Sequence, residues 1–395
     1  MRVSLVRFGW GECCFLNGES VGQITAELGS AVATDMSLNK VLPENVGVSF
    51  EGTKKYGDFD ISGELTRYWL RLPNPHGRPN LEVVKPWCNG QGITRRPSDT
   101  WVIDFGAHMP EGDASLYDAP FSHLVHSVKP ERMKVRRERT RRLWWIHEEA
   151  RVSLREALHG LPCFIATPRV AKHRFFVFLD ATVLPDTRLN VIARADDLTL
   201  GVLSSRFHEA WSLANASMHG VGNDPTYNAK SCFETFPFPA GLSPADTAHQ
   251  QTETLHDGAV IPVLTSTSSV RTVAEKIARA AHRLNELREN WLNPPEWTQR
   301  PPEVIPLGMT TSPYPDRIVA KFGHEKDLAE RTLTKLYNQR PAWLDAAHKA
   351  LDAAVAAAYG WADYTAEMPD EEILKRLLAL NLARSAPESH GDDAV

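Results

Sequence analysis

The sequence has few cysteines and no long apolar run, and both shortages limit the class of protein. No stretch of about 18 apolar residues is present to cross a bilayer, and no charged-then-apolar signal sequence begins the chain. We therefore expect no membrane association and a cytoplasmic location. The cysteines are odd in number and form no Cys-x-x-Cys pair, so reduced thiols are expected and no metal site is predicted. They are Cys13, Cys14, Cys88, Cys163 and Cys232.

An excess of positive charge is also lacking over the chain as a whole. The 395 residues include 44 Lys and Arg against 49 Asp and Glu, and the formal net charge of −5 excludes a globally basic nucleic-acid binder. Locally, however, the signs separate. Residues 129–155 hold ten basic residues and four acids, whereas residues from 363 onward hold eight acids and three basic residues. A near-neutral total can therefore hide a cationic face that attracts phosphate.

Length and an apolar content of 42% predict two or three domains with ordinary cores. The hydrophobic period changes along the chain, from extended patterns to helical ones. Period-two stretches include residues 175–179 and 189–192, and a helix is predicted over 198–216 after the acidic cap at 196–197. Helical patterns return at 270–292, 327–338, 342–358 and 370–384. The sequence therefore predicts an α+β fold, with a mixed-sheet domain followed by an all-helical C-terminal module.

Composition divides the chain into five parts. A hairpin is predicted around Asn17-Gly18, because both central positions of a tight turn need positive φ. The segment 242–269 is low in aromatics and rich in Ser, Thr and Ala, which is typical of a linker. The parts are a hairpin at 1–30, a loop-rich connector at 31–84, an α+β domain at 85–241, a linker at 242–269 and a helical module at 270–395.

The most specific pattern lies in residues 167–239. It opens with Thr-Pro-Arg-Val-Ala-Lys-His-Arg at 167–174 and continues with Ser-Arg-Phe-His-Glu-Ala-Trp-Ser at 205–212. Gly-Val-Gly-Asn-Asp-Pro follows at 220–225, and Phe-Glu-Thr-Phe-Pro-Phe-Pro closes the block at 233–239. This block resembles the target recognition domain of MmeI-like DNA methyltransferases, which modify adenine at N6.

The resemblance implies a role for each part of the chain. Residues 85–241 would form the DNA target recognition domain, and residues 1–30 would be the terminal hairpin of a methyltransferase-like sheet. The helical module would clasp DNA from the other side. The family's catalytic domain, with its S-adenosylmethionine, should precede the recognition block. Double-stranded DNA is therefore the expected partner, together with an upstream methyltransferase domain or subunit.

The motifs of that catalytic domain do not appear in this sequence. Asn293-Pro-Pro-Glu296 has the letters of the Asn/Asp-Pro-Pro-aromatic loop, but Glu296 cannot stack on an extruded base and the motif ends a helix. No Gly-x-Gly stands between a strand and a helix, as a cofactor turn requires. Pro369 to Lys375 has the residue types of a nuclease site without the spacing. We predict no catalytic, cofactor-binding or metal-ligating residue in this chain.

The basic residues at 129–155 form what we call the basic run, and its first part, 129–142, predicts contacts with DNA phosphates. Its acids are too sparse for intrahelical pairing to neutralise it, and the adjacent Trp144-Trp145 would anchor the helix with its charged side outward. The alternative is a solvated helix face without a ligand. Such contacts fix position on a duplex and carry no sequence information. The predicted phosphate contacts are Lys134, Arg136, Arg137, Arg139 and Arg141.

Two segments are predicted to read bases, since Arg and Lys suit guanine and Asn suits adenine in the major groove. One follows a buried strand at 169–174, and the other is the glycine-containing loop at 218–228. Alternatives remain open for both, because Arg169 could pair with Asp180 or Glu209, and turn chemistry alone could explain residues 222–225. The predicted base-reading residues are Arg169, Lys172, His173, Arg174, His219, Asn223, Asp224 and Tyr227.

The combined prediction is the sequence-reading part of an adenine-N6 DNA methyltransferase from a restriction-modification or related defence system, not catalytic on its own. A separately encoded specificity subunit that docks on a catalytic polypeptide is one alternative. An inactive, truncated remnant is the other.

Overall fold

A computed structural model describes residues 3–8, 11–16, 19–21, 34–219, 224–264 and 268–385 of the chain. The strands are β1 Val3–Phe8, β2 Gly11–Leu16, β3 Glu19–Val21, β4 Ser49–Glu51, β5 Asp60–Ser62, β6 Val84–Cys88, β7 Thr100–Ile103, β8 Cys163–Pro168, β9 Val177–Asp180, β10 Leu184–Pro185, β11 Leu189–Ile192, β12 Met218–His219, β13 Asp224–Pro225, β14 Thr252–Thr254, β15 Val260–Pro262, β16 Thr298–Gln299 and β17 Val319–Ala320. The helices are α1 Gly63–Arg71, α2 Gly90–Thr94, α3 Glu111–Ala114, α4 Asp118–Ser127, α5 Lys129–Lys134, α6 Glu138–Arg142, α7 Val152–Leu158, α8 Asp197–Ser204, α9 Arg206–Ala214, α10 Ser268–Leu292, α11 Glu325–Ala329, α12 Leu333–Gln339, α13 Ala342–Ala358 and α14 Asp370–Ser385.

The first three strands form a separate antiparallel sheet in the order β1-β2-β3. Leu16 at the end of β2 pairs with Glu19 at the start of β3, and the two strands are antiparallel. The predicted turn residues Asn17 and Gly18 lie outside the described residues.

A second sheet, in the order β10-β6-β7-β5, forms the base of what we call the aromatic lobe. It is a mixed sheet, because β10 pairs parallel to β6 while β6 and β5 pair antiparallel to β7. Helices α1 and α4 to α6 lie in the same lobe. Ser62 begins α1 by accepting a hydrogen bond of 3.2 Å from the Leu65 N–H. The core holds many rings, among them Phe59, Trp101, Phe105 and Trp144.

The third sheet, β4-β11-β8-β9, is antiparallel throughout and forms what we call the main lobe together with α8 to α10 and α12 to α14. Its core is continuous from the sheet to the C-terminal helices, and includes Phe164, Trp211, Ile277 and Leu351. Gly201 lets α8 and α10 come close, since a Cβ there would lie 2.7 Å from Cγ2 of Ile277. The expected α+β architecture, ending in a helical module, is confirmed.

Several predicted segments differ in detail. The helix predicted over 198–216 is two helices, because Ser205 has ψ 157° and breaks the hydrogen-bond ladder between α8 and α9. The predicted 327–338 helix is likewise divided into α11 and α12. The C-terminal module also contains the short hairpin β16–β17. The helix predicted at 342–358 has those bounds as α13.

Two segments predicted to be irregular contribute to the lobes. The 31–84 connector supplies β4 to the main sheet and β5 and α1 to the aromatic lobe. The 242–269 segment, predicted as a linker, contains the hairpin β14–β15. Its Ala259 and Ile261 are fully buried, and the Val260 N–H donates a hydrogen bond of 2.8 Å to Asp197 at the start of α8. A few buried apolar side chains are enough to hold it against the main lobe.

Candidate nucleic-acid interface

The two predicted base-reading segments, at 169–174 and 218–228, lie side by side and form what we call the reading edge. Val170 and Thr226 form an antiparallel bridge, and the Tyr227 N–H donates a hydrogen bond of 2.7 Å to the Arg169 carbonyl. The second segment itself forms the hairpin β12–β13, in which His219 pairs with Asp224. The first segment directly follows β8 in the chain, and the second follows shortly after the end of α9.

Two predicted base-reading residues, Arg174 and Tyr227, are buried beneath this edge. Arg174 is 5% exposed and donates hydrogen bonds of 3.2 to 3.4 Å to the carbonyls of Pro168, Pro225 and Thr226. Its guanidinium carbon lies 4.9 Å from the centre of the Tyr227 ring. Because the Arg174 guanidinium donates to these carbonyls, it holds the two segments together. The burial of both side chains argues against the base-reading role that the sequence predicted for them.

A histidine that the sequence did not single out completes this buried group. The hydroxyl of Tyr227 and Nε2 of His208 are 2.9 Å apart, and neither residue is exposed. Burial, together with the charge of the nearby Arg174, lowers the pKa of His208 to about 3. The imidazole is therefore neutral at physiological pH, and the group is a structural support.

The other predicted base-reading residues reach the surface to different extents. Lys172 is exposed and His173 half-buried, and both side chains contact Oδ1 of Asn338 at 2.7 and 2.8 Å. Asn338 lies in α12, so the C-terminal module touches this edge. His219 is exposed and Asp224 is half-buried. Asn223 lies outside the described residues.

Arg169 is paired, but with neither of the two carboxylates expected from sequence. Its Nη1 lies 3.1 Å from Oε1 of Glu51, in β4. The other carboxylate oxygen of Glu51 lies 2.6 Å from Nη2 of Arg151, which in turn lies 2.9 Å from Glu149. Arg151 also has a left-handed backbone, with φ 54°. These ion pairs connect the reading edge to the end of the basic run.

The basic run itself is divided between buried and exposed cations. Arg132 is 1% exposed and donates to four backbone carbonyls, among them those of Lys55 at 2.6 Å and Tyr56 at 3.0 Å. Burial lowers the pKa of Arg132 to about 10. Its role is to fix the loop after β4 to α5.

The five predicted phosphate contacts are all at least partly exposed. Lys134 pairs with Glu131 at 2.6 Å, and Arg137 pairs with the buried carboxylate of Glu148. Arg139 and Arg141 donate to backbone carbonyls and have no acidic partner among the described residues. Arg136 has no acidic partner in the described part of the chain either.

Sequence reasoning passed over two further exposed arginines. Neither Arg142 nor Arg188 forms a salt bridge within the described ranges, although the Arg188 N–H donates a hydrogen bond of 2.7 Å to Oδ1 of Asp186. Arg188 lies in the turn between β10 and β11, and its carbonyl accepts a hydrogen bond of 2.8 Å from the Arg169 N–H. A basic residue in a short turn beside a reading strand is the signal that could have identified it.

The Asn-Pro-Pro motif ends α10, as expected from its sequence context. Asn293 is 9% exposed, and its Oδ1 accepts a hydrogen bond of 2.8 Å from Arg96. The described residues contain no group of three or more His, Cys, Asp or Glu side chains that could hold a metal ion. Within the same ranges, no helix is long and apolar enough to cross a membrane.

No protein-family model matches this chain, and no curated protein matches it. Among solved structures, the chain is similar to the Type IIL restriction-modification enzyme MmeI in complex with DNA, with a TM-score of 0.57 and 14% sequence identity. The similarity covers 95% of this chain and 40% of that one. The chain shares the fold of part of that enzyme. It spans well under half the length of that enzyme.

Proposed function

We propose that this chain recognises double-stranded DNA in a sequence-specific manner. It would act as the target recognition part of an S-adenosylmethionine-dependent adenine-N6 methyltransferase in a restriction-modification system. The observation that carries the proposal is the joining of the segments 169–174 and 218–227 into one edge, connected by ion pairs to the basic run. The fold shared with a DNA-bound enzyme of that class supports it.

Base reading is assigned to the side chains of this edge that reach the surface. Arg169 and Lys172 would donate to guanine O6 and N7, the contact that arginine and lysine make most often in the major groove. His173, His219 and Asp224 would add mixed donors and acceptors, and Asn223, which lies outside the described residues, stays a prediction from the sequence. Arg174 and Tyr227 are left out because they are buried.

Positioning on the duplex is assigned to the basic run. Arg136, Arg139 and Arg141 lack acidic partners among the described residues, so each can exchange its counterions for a DNA phosphate. Lys134 and Arg137 would have to leave Glu131 and Glu148, or share them. The exposed pair Lys134–Glu131 would separate at little cost, because such surface pairs contribute little to stability.

Methyl transfer is assigned to another domain or chain, which would hold S-adenosylmethionine and the extruded adenine. The motifs for both are missing from this sequence, and Asn293 is engaged with Arg96 at the end of α10. If that domain is encoded separately, this chain would be the specificity subunit of a two-component enzyme.

The test is binding of the 395-residue chain to fluorescently labelled duplexes at increasing salt. We expect binding whose logarithmic affinity falls linearly with the logarithm of salt concentration, with a slope near −0.9 per phosphate contact. Binding that needs an added catalytic domain would favour the subunit arrangement. An absence of salt-sensitive binding to any duplex, even with that domain supplied, would overturn the proposal.

A further inference from the structure

A cleft of about 740 Å³ lies between the aromatic lobe and the main lobe. Its walls come from β6 and β7, from β9, from the last turns of α10 and from residues 314–320. Its lining includes the apolar side chains of Trp87, Trp101, Phe178 and Leu292. The volume falls in the range of roughly 300–1,000 Å³ that is usual for ligand sites.

The strand β9 borders this cleft with its open edge. Alternate residues of a strand point to opposite faces, but all four consecutive residues of Val177–Asp180 line the cleft. A space that contacts residues from both faces of the strand must lie beside the edge of the strand rather than above one face. β9 is the last strand of its sheet and pairs only with β8 among the described strands.

Hydrogen-bond alternation shows which backbone groups face the cleft. The Ala181 N–H donates to the Pro162 carbonyl at 3.1 Å, which places Leu179 and Val177 in the hydrogen-bonded pairs with β8. The N–H and C=O of Phe178, which alternates with them, therefore point away from β8. Arg288 covers the preceding carbonyl, that of Phe176, at 2.9 Å. At the other end of the strand, the Asp180 carbonyl accepts a hydrogen bond of 3.0 Å from the Val183 N–H, so the open part of the edge consists of the Phe178 N–H and C=O and the Asp180 N–H.

The opposite wall carries further donors without acceptors. Tyr314 is 6% exposed, its ring centre lies 4.8 Å from that of Trp101, and its buried hydroxyl has no hydrogen-bond partner among the described residues. Nε of Arg317 is also buried without a hydrogen bond and lies 3.7 Å from Glu303. A buried donor without an acceptor is costly, and a peptide carbonyl would satisfy it.

The charge of the lining selects against nucleic acid. Most of its ionic groups are paired internally, as in Arg300 with Glu289 at 2.8 Å. Three lining carboxylates form no salt bridge within the described ranges, whereas two lining arginines form none. The carboxylates are those of Asp180, Asp316 and Glu325, and the arginines are Arg95 and Arg96, of which Arg96 donates to the carbonyls of Leu292 and Arg331 and to Asn293. A phosphate backbone would be repelled, and a basic ligand attracted.

We propose that this cleft binds an extended, basic segment of another polypeptide, which adds a strand to β9. The four residues of β9 would pair with about four peptide residues, spanning roughly 13 Å at about 3.3 Å per residue. Apolar side chains of the peptide would pack on Trp87 and Leu292. Its lysines or arginines would lie near Asp316 and Glu325 at the mouth. This binding is independent of the DNA-reading role.

The test uses the full chain and the acetylated, amidated hexapeptide Lys-Val-Lys-Val-Lys-Val. Binding is followed by calorimetry and by tryptophan fluorescence, since Trp87 and Trp101 line the cleft. The same peptide methylated on alternate backbone nitrogens keeps its charge and loses edge-facing donors. We expect it to bind roughly ten-fold more weakly. The acidic counterpart, Glu-Val-Glu-Val-Glu-Val, is expected to show no binding.

Two matched variants test the place of binding. Asp316→Lys reverses a lining carboxylate and should weaken the basic peptide roughly five-fold. Glu367→Lys reverses an exposed carboxylate outside the cleft and should leave the affinity unchanged. The proposal is overturned if the basic peptide does not bind, if N-methylation has no effect, or if both variants behave alike. Binding of duplex DNA or of a second copy in the cleft would also overturn it.

Discussion

The Tyr227 N–H donates a hydrogen bond of 2.7 Å to the carbonyl of Arg169. This bond joins two segments that lie far apart in the sequence and that the sequence predicted, separately, to read bases. Arg174 lies beneath the joint and donates to carbonyls on both sides of it. The edge is therefore held by backbone contacts and one buried guanidinium, which leaves the exposed side chains available for a ligand.

The buried guanidinium gives the first prediction. Arg174→Met removes the donor from one buried carbonyl and two partly buried ones, so we expect the free energy of unfolding to fall by about 2–4 kcal/mol. Urea denaturation measures it. The control is Lys172→Met, two residues away and exposed, which should change stability little. Equal stability of the two variants would contradict the structural role of Arg174.

The exposed arginines of the basic run give the second prediction, which concerns DNA binding. In the double variant Arg136→Glu, Arg142→Glu, two unpaired cations become anions. We expect duplex affinity to fall roughly ten-fold or more at moderate salt, equally for all sequences. The slope of logarithmic affinity against logarithmic salt concentration should decrease by the amount expected for about two lost phosphate contacts. Fluorescence anisotropy measures both. Lys375→Glu, an exposed lysine on α14, serves as the charge-reversal control and should bind normally. An unchanged slope would show that the run does not meet phosphate.

A buried carboxylate between α9 and α13 gives a pH-dependent prediction. Burial, together with the charge of Glu209, raises the pKa of Asp352 to about 7, although the Arg206 N–H donates a hydrogen bond of 2.8 Å to the carboxylate. The unfolded value is about 3.9. Because the folded value is higher, this contribution to stability is complete below about pH 4 and is lost as the pH rises through 7.

Asp352→Asn keeps an acceptor for the Arg206 N–H and removes the ionisation. Relative to the native chain it should therefore gain stability between pH 5 and 8, on the order of 2 kcal/mol at most. Unfolding curves of the variant and the native chain at pH 5 and at pH 8 give the difference in stability between the two proteins. The contributions of the other titrating groups cancel in that difference. Asp345→Asn is expected to lose stability equally at pH 5 and pH 8, because the hydrogen bond with Lys349 lowers the pKa of Asp345 and the carboxylate is ionised throughout that range. A pH-independent difference for Asp352→Asn would refute the assignment.

The close approach of α8 and α10 gives a packing prediction. Gly201→Ala would place its Cβ 2.7 Å from Ile277 and 3.0 Å from Ala281, so we expect a loss of about 1–3 kcal/mol of stability. Gly112→Ala has open space around it in α3 and should be neutral or slightly stabilising. Thermal and urea unfolding of both variants test this pair. A stabilising Gly201→Ala would mean that the helices are not tightly packed.

Patterns carried by neighbouring residues could be read from the sequence, and partners distant in the sequence could not. The Ala-rich α13 and the period-two strand β11 follow from local periodicity. The burial of Arg174 and Tyr227 was missed because polar residues in a loop-like stretch are usually exposed, and here the partners are carbonyls contributed by a separate hairpin.

The ion pairs of the site were missed for the same reason. Glu51 stands in a segment that looked like a loop-rich connector, so nothing local identified it as the partner of Arg169. The two partners that sequence suggested, Asp180 and Glu209, lie on β9 and α9. Asn338 likewise contacts Lys172 only because α12 folds back on the main lobe. Such pairings depend on tertiary packing, which no short pattern encodes.

The most direct test of DNA recognition is selection of duplexes from a randomised pool by the native chain and by Arg169→Gln. If the edge reads bases, the native chain enriches a short, defined sequence at physiological salt. The variant loses preference at one position, by about 1–3 kcal/mol of discrimination, while its salt slope stays the same. Enrichment of no sequence by the native chain, or the same sequence at the same strength by both proteins, would contradict a base-reading role for this edge.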